Sequence, residues 1–244
     1  GFKEASHGYV LKSMSSNGDV DFRRVRSHVK FSDWVDNAEE AEALLARPSV
    51  HMVTITVTES GYYMDETGAL NPADPSIVAE LGGGAPRTIY AYLNRALARR
   101  QAAGLGGISI LCCDNIRRNG KMLQRNLFAY LDLIGAEDLV EWVRTWVTFP
   151  CSMVDRITPR TTEKLQGEVD ALFGPSPFTP VMAEDFTQWV VDDHFAAERP
   201  DLTKVGVTFT KNVDPYEEAK IRILNGGHTC LAYLGALAGH HTFD

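Results

Sequence analysis

Apolar positions follow two different rhythms along the first 150 residues. Alternating or β-branched runs stand at "GYVLKSM" (8–14), "DVDFRRVRSHVKF" (19–31), "VHMVTITVT" (50–58) and "GISILCC" (107–113), and these read as strands. The first two are joined by "SSNGD", whose Asn-Gly pair predicts a hairpin. Helical spacing marks "NAEEAEALLARP" (37–48), closed by Pro48, and "RTIYAYLNRALARRQAAG" (87–104), closed by Gly104. It returns at "NGKMLQRNLFAYLDLIG" (119–135) and "EDLVEWVRTW" (137–146). The stretch 59–86 is rich in turn residues and reads as a long loop, a lid or surface excursion. Strand alternating with helix predicts an α/β fold with parallel strands.

Beyond Pro150 the texture changes. "TEKLQGEVDALFG" (162–174) is helical, "PSPFTP" (175–180) is a proline-rich loop, and "FTQWVVDDHF" (186–195) and "VGVTFTK" (205–211) are short extended pieces. Two helical segments close the chain, "PYEEAKIRILNGGH" (215–228) and "TCLAYLGALAG" (229–239). A boundary near Pro150 is expected, dividing the chain into 1–150 and 151–244.

Composition narrows the class. The 244 residues are 44% hydrophobic and 23% charged, which is globular composition. The net charge of −8 gives no basic footprint for nucleic acid or an anionic membrane. No apolar run reaches the roughly 20 residues of a membrane span, and "GFKEASHGYV" has no signal-peptide pattern. Cys112, Cys113, Cys151 and Cys230 form neither a disulfide framework nor a CxxC zinc pattern. They are expected to be reduced thiols of a cytoplasmic protein.

Polar clusters follow two of the expected parallel strands, where open α/β sheets bind ligands. Thr58 and Glu59 follow one, and Asp114 and Asn115 the other. Helix capping is the bland alternative for Asp114 and Asn115. No dinucleotide fingerprint is present: "LGGGAP" follows a loop and "GLGGIS" precedes a strand. In "PYEEAKIRILNGGH", a regular helix with Lys220 at zero puts Glu217 near ~60°, His228 near ~80° and Asn225 near ~140°. Leu224 and Leu231 share that face, so it is expected to be buried, and Lys220 with it. Asp214, Pro215 and Glu217 also fit a capping box. A lysine reaching to solvent with His228 and Asn225 as helix-end partners is the alternative.

The segment "PYEEAKIRILNGGH" resembles the lysine helix of the long-chain polyol dehydrogenases, the mannitol dehydrogenase family. That pattern is Lys, four residues, Asn, two residues, His, matched by Lys220, Asn225 and His228. "TVTESGYY", "CDNIRRNG", "SMVDRITPRTT" and "QWVVDDHF" match in the family's order and span nearly the whole chain. Within the family they look nearest to the bacterial D-arabinitol 4-dehydrogenase branch.

The resemblance implies a Rossmann-like, mostly parallel cofactor domain followed by a mainly helical substrate domain. It implies metal-independent, NAD-linked oxidation of a polyol to a ketose: D-arabinitol to D-xylulose, or D-mannitol to D-fructose. Lys220 would be the base, Asn115 and Asn225 would hold the reacting oxygen, and His228 would orient substrate. Glu217 would pass the proton on, and Asp155 would line the substrate site. Thr58, Glu59 and Asn115 would face the cofactor. Family members are about twice this length and open with a glycine-rich βα turn, so the chain is expected to be an internal fragment that neither binds NAD tightly nor turns over alone. The expected partner is a small polyol or ketose, with neither nucleic acid nor membrane, and the protein is expected to be a monomer. The alternatives are a hexuronate reductase of the same family, a non-catalytic remnant, and a metal hydrolase using His228, His240 and His241. Adjacent histidines point apart on a helix, which argues against the last.

Overall fold

The structure is a computed structural model describing residues 8–174 and 180–240. Residues 175–179, most of the stretch expected to be a proline-rich loop, and His241 lie outside the described residues. In chain order the strands are β1 (Tyr9–Met14), β2 (Val20–Val25), β3 (Met52–Ile55), β4 (Ile108–Cys112), β5 (Val147–Thr148), β6 (Ser152–Asp155), β7 (Val181–Glu184), β8 (Gln188–Asp192) and β9 (Thr208–Thr210). The helices are α1 (Ala38–Ala43), α2 (Pro75–Leu81), α3 (Ile89–Ala102), α4 (Asn119–Leu133), α5 (Glu137–Trp146), α6 (Glu163–Phe173), α7 (Asp214–Ala219) and α8 (Gly226–Leu237). Short 3-10 turns occupy Glu59–Tyr62 and Leu202–Val205, and a π-turn, Lys220–Asn225, joins α7 to α8.

The chain folds as two compact units. One holds Gly1–Leu45 and Val154–Gln188, the other Ala46–Met153 and Trp189–Asp244. In the first, β1 and β2 form the expected antiparallel hairpin, and β7 adds in parallel on the other side of β1. The Asn-Gly turn places Gly18 at φ +85°, a left-handed conformation that glycine adopts freely. Val10, Leu165 and Val169 form the core, with Phe22 and Met182 packed against them. The strand expected over 19–31 ends at Val25, and the helix expected over 37–48 ends at Ala43.

In the second unit β3, β4 and β5 are parallel, in that order. All five residues of β4 are buried, as a central strand covered on both faces requires. β8 and β9 form a further parallel pair. The stretch 59–86 is not all loop. Asp74 accepts the Ser76 N–H at 2.8 Å and Pro75 opens α2, a helix start that the surrounding turn residues obscured. The buried guanidinium of Arg100 ties the α3–β4 connection together by donating to the carbonyls of Arg47, Gly106 and Gly107. None of the helices is long and apolar enough to cross a membrane, among the described residues.

Candidate active site

The carboxyl ends of β3 and β4 lie side by side, with Ile55 opposite Cys112. Just beyond them the Asp114 carboxylate accepts the Val57 N–H at 2.9 Å, the Thr58 N–H at 3.2 Å and the Tyr62 hydroxyl at 2.6 Å. Asp114 therefore ties the end of β3 to the end of β4 and caps no helix. The N-cap position of α4 belongs to Arg118, which is left-handed and makes no side-chain cap. Thr58 itself has φ +63°, a conformation that threonine rarely adopts. It is held there by the bond from its N–H to Asp114. Tyr62 is fully buried, and burial, reinforced by Cys112 and Asp114, pushes its phenol far above the usual range. Burial likewise pushes the Cys112 thiol up to about 11. Both stay protonated, so Tyr62 donates.

The loop after β4 is pinned from below by two side chains that the sequence reading passed over. Asn119 is completely buried. Its amide donates to the carbonyls of Ser152 (2.7 Å) and Asp114 (3.1 Å), and its oxygen accepts the N–H groups of Gly120 (2.8 Å) and Ser152 (2.9 Å). The Ser152 hydroxyl donates to the Cys112 carbonyl at 2.7 Å. The signal was present in "CDNIRRNG", whose second Asn looked like a helix opener and nothing more. This scaffold leaves Asn115 on the exposed crest of a rigid loop.

The lysine helix is anchored to the same scaffold. Asp192, at the end of β8, accepts the N–H groups of Val213 (3.0 Å) and Cys151 (3.3 Å). Val213 is the N-cap of α7, so the expected capping box does not form. Its two acids are engaged elsewhere. Asp214 accepts from the Arg118 guanidinium at 2.8 and 3.3 Å. Both carboxylate oxygens of Glu217 accept the Arg118 backbone N–H, at 3.1 and 3.2 Å. Glu217 is only 5% exposed, and burial raises its carboxyl above the usual range.

One turn later the Lys220 Nζ donates to the Asn115 Oδ1 at 3.1 Å. Two residues 105 apart in sequence thus meet at the carboxyl ends of parallel strands. The helix beyond Lys220 is not regular. The Gly226 N–H reaches back to the Ile221 carbonyl, a five-residue step, within the π-turn. Such a turn takes up one extra residue, which shifts Asn225 towards the lysine's side from the ~140° of a regular helix. π-turns are frequent at functional sites. His228 lies in the first turn of α8, exposed.

The expectation of a buried lysine face fails in its outer part: Leu224 is 38% exposed and Leu231 60%. Periodicity tells which residues share a face, not whether a neighbour covers it. Glu59 opens the 3-10 turn after Thr58, and Asp155 is the last residue of β6, in the other unit. Among the described residues no cluster of three or more His, Cys, Asp or Glu is placed to hold a metal ion.

A primary amine beside an amide, at the mouth of two parallel strands, can take a proton from a bound alcohol while amide N–H groups stabilise the alkoxide.

Comparison with known proteins gives the family. The description "Mannitol dehydrogenase Rossmann domain" matches residues 5–204, and "Mannitol dehydrogenase C-terminal domain" matches residues 212–244. The D-arabinitol 4-dehydrogenase of Klebsiella pneumoniae is 38% identical over 231 residues, covering 95% of this chain and 50% of that protein. Among solved structures, D-sorbitol dehydrogenase in substrate-free form matches with a TM-score of 0.87 at 34% identity, covering 95% of this chain and 48% of that one. Pseudomonas fluorescens mannitol 2-dehydrogenase, in ternary complex with NAD and D-mannitol, matches with a TM-score of 0.84 at 36% identity, covering 95% and 47%. The chain spans about half the length of these relatives. The expected Rossmann-like fold is the one they share.

Proposed function

Because the chain belongs to the mannitol dehydrogenase family, we propose that it carries the catalytic lysine helix of an NAD-dependent, metal-independent polyol dehydrogenase. Its substrate would be D-arabinitol or D-mannitol, oxidised at a secondary alcohol to the ketose. The observation that carries this reading is the 3.1 Å hydrogen bond from Lys220 to Asn115 at the end of β4.

The strand ends also fit the nicotinamide half of a dinucleotide. Asp114 fixes the backbone of Thr58, and Thr58, Glu59 and Asn115 cluster where a ligand of a parallel sheet lies. These three residues would hold the cofactor, which when bound accepts the hydride. Everything else is work for side chains of this chain. Lys220 takes the hydroxyl proton. The amides of Asn115 and Asn225 donate to the developing alkoxide; the π-turn between Lys220 and Asn225 supports this role for Asn225. Two amides and the new ammonium together supply the stabilisation that a Lewis acid would otherwise give. Glu217, one turn before Lys220, receives the proton next, while His228 orients the substrate.

The test is a substrate panel with D-arabinitol, D-mannitol and fructuronate, run on the parent enzyme that carries this chain, unsubstituted and as Lys220→Ala, with and without a chelator. Polyol oxidation should exceed uronate reduction and survive the chelator. Lys220→Ala should lower kcat by about 1000-fold, the usual scale for losing a general base. Near-normal turnover in that variant removes the base assignment, and a preference for fructuronate reassigns the substrate.

A further inference from the structure

The paired arginines of "DNIRRNG" and two acids of "DPYEE", Asp214 and Glu218, have no part in the chemistry above, yet the fold brings them together. Asp214, Glu217 and Glu218 stand at helical spacing i, i+3, i+4 on α7. Arg117 and Arg118 lead into α4, directly after the loop that carries Asn115. Arg117 pairs with Glu218, which also holds Arg222 at 2.6 Å.

Arg118 makes the more demanding contact. Its backbone is left-handed at φ +50°, a conformation arginine rarely takes. In that conformation its N–H meets both oxygens of the buried Glu217, and its guanidinium meets Asp214. One residue thus grips α7 twice, three positions from Asn115. The loop also meets the lysine helix through Arg117 on Glu218 and through the bond from Lys220 to Asn115.

We propose that Arg118 is a positioning residue for the lysine base: its N–H on Glu217 and its guanidinium on Asp214 set α7, and with it Lys220, against the loop bearing Asn115. The inference rests on the dehydrogenase function proposed above. Arg118→Gly is the informative substitution. It keeps the N–H and accommodates the left-handed backbone without strain, so only the guanidinium's grip is lost. The charge exchange Arg118→Asp with Asp214→Arg places an Asp where a left-handed conformation is tolerated and re-creates the pair.

In the enzyme that oxidises its polyol and loses that activity in Lys220→Ala, Arg118→Gly should lower kcat by about 100-fold, the scale of a misplacement of about 1 Å. KM for NAD should stay within about twofold. The exchanged pair should recover at least about tenfold over Arg118→Gly. Wild-type kcat in Arg118→Gly, or no recovery in the exchanged pair, overturns the assignment. If the parent enzyme that carries this chain oxidises none of the polyols, the functional reading fails, and hydrogen exchange still decides the positioning role. Arg118→Gly should then speed amide exchange across residues 214–220 by about tenfold or more, whereas Arg222→Ala, which cuts a pair internal to the helix, should not. Unchanged exchange in Arg118→Gly overturns the proposal whatever the activity.

Discussion

Removing the Asp114 carboxylate is the sharpest test of how the site is scaffolded. Asp114→Ala leaves three donors without their acceptor: the N–H groups of Val57 and Thr58 and the hydroxyl of Tyr62. Hydrogen bonds to a charged group contribute about 1.5–3 kcal/mol each. Thr58 is exposed and its N–H finds water, so it contributes little. Val57 is half-buried and Tyr62 fully buried; Tyr62 keeps only the Cys112 sulfur, at 2.9 Å, as a weak partner. The expected loss is about 3 kcal/mol, a large share of the 5–15 kcal/mol that holds a typical domain together. Urea unfolding measures it as a lower midpoint at unchanged slope. Combining Asp114→Ala with Tyr62→Phe should recover about 1–2 kcal/mol of coupling, because the orphaned hydroxyl is then gone. A loss under about 1 kcal/mol for Asp114→Ala, with no coupling to Tyr62, would refute the view that this carboxylate joins β3 to β4.

Glu217→Gln tests the burial of the acid. Burial raises the Glu217 carboxyl in the fold, so its contribution to stability is full below the unfolded value of about 4.3 and is lost as pH rises through the raised value. Gln does not titrate, so urea midpoints of variant and wild type should diverge in favour of Gln from pH 4 to pH 7; a gap that stays constant sinks the claim. Gly120→Ala should cost at least about 2 kcal/mol in thermal unfolding, because its Cβ would sit 2.4 Å from the Phe149 carbonyl and 2.5 Å from that of Pro150. Arg100→Met should cost about 3 kcal/mol by leaving buried carbonyls unpaired, and Arg100→Lys should restore only part of it, since the planar fork is lost. A neutral result in chemical denaturation would place those carbonyls in contact with water.

The long, strongly periodic elements were legible without coordinates. α3, α4, α5 and α6 lie where their apolar spacing put them, and β4 is the buried strand its run of apolar residues announced. Short elements were not. β5 has two residues and β6 four, too few for a period to show. α2 hid in a turn-rich stretch although Asp74 and Pro75 marked its start. At the site, helical spacing alone left Lys220 ambiguous between a base and a solvated lysine; the resemblance assigned it a role. Asn119 and Ser152 escaped notice because most of their partners are backbone groups 5 to 40 residues away, which no local pattern records.

The order of residues alone determined the alternation of strand and helix, the spacing from Lys220 to Asn225 and His228, and the complementary signs of the arginine pair and the acids of α7. These are properties of neighbours along a chain, set by side-chain type and helical or extended geometry. The tertiary structure decided the rest: that Asp114 bridges strands instead of capping a helix, that Asp214 and Glu217 turn to Arg118 instead of to their own helix, and that Lys220 meets Asn115 across 105 residues. It also decided that the lysine helix loosens into a π-turn between Lys220 and Asn225. Each of these is a competition between a local hydrogen bond and a distant one. Only the packed chain brings the distant donor close enough to win.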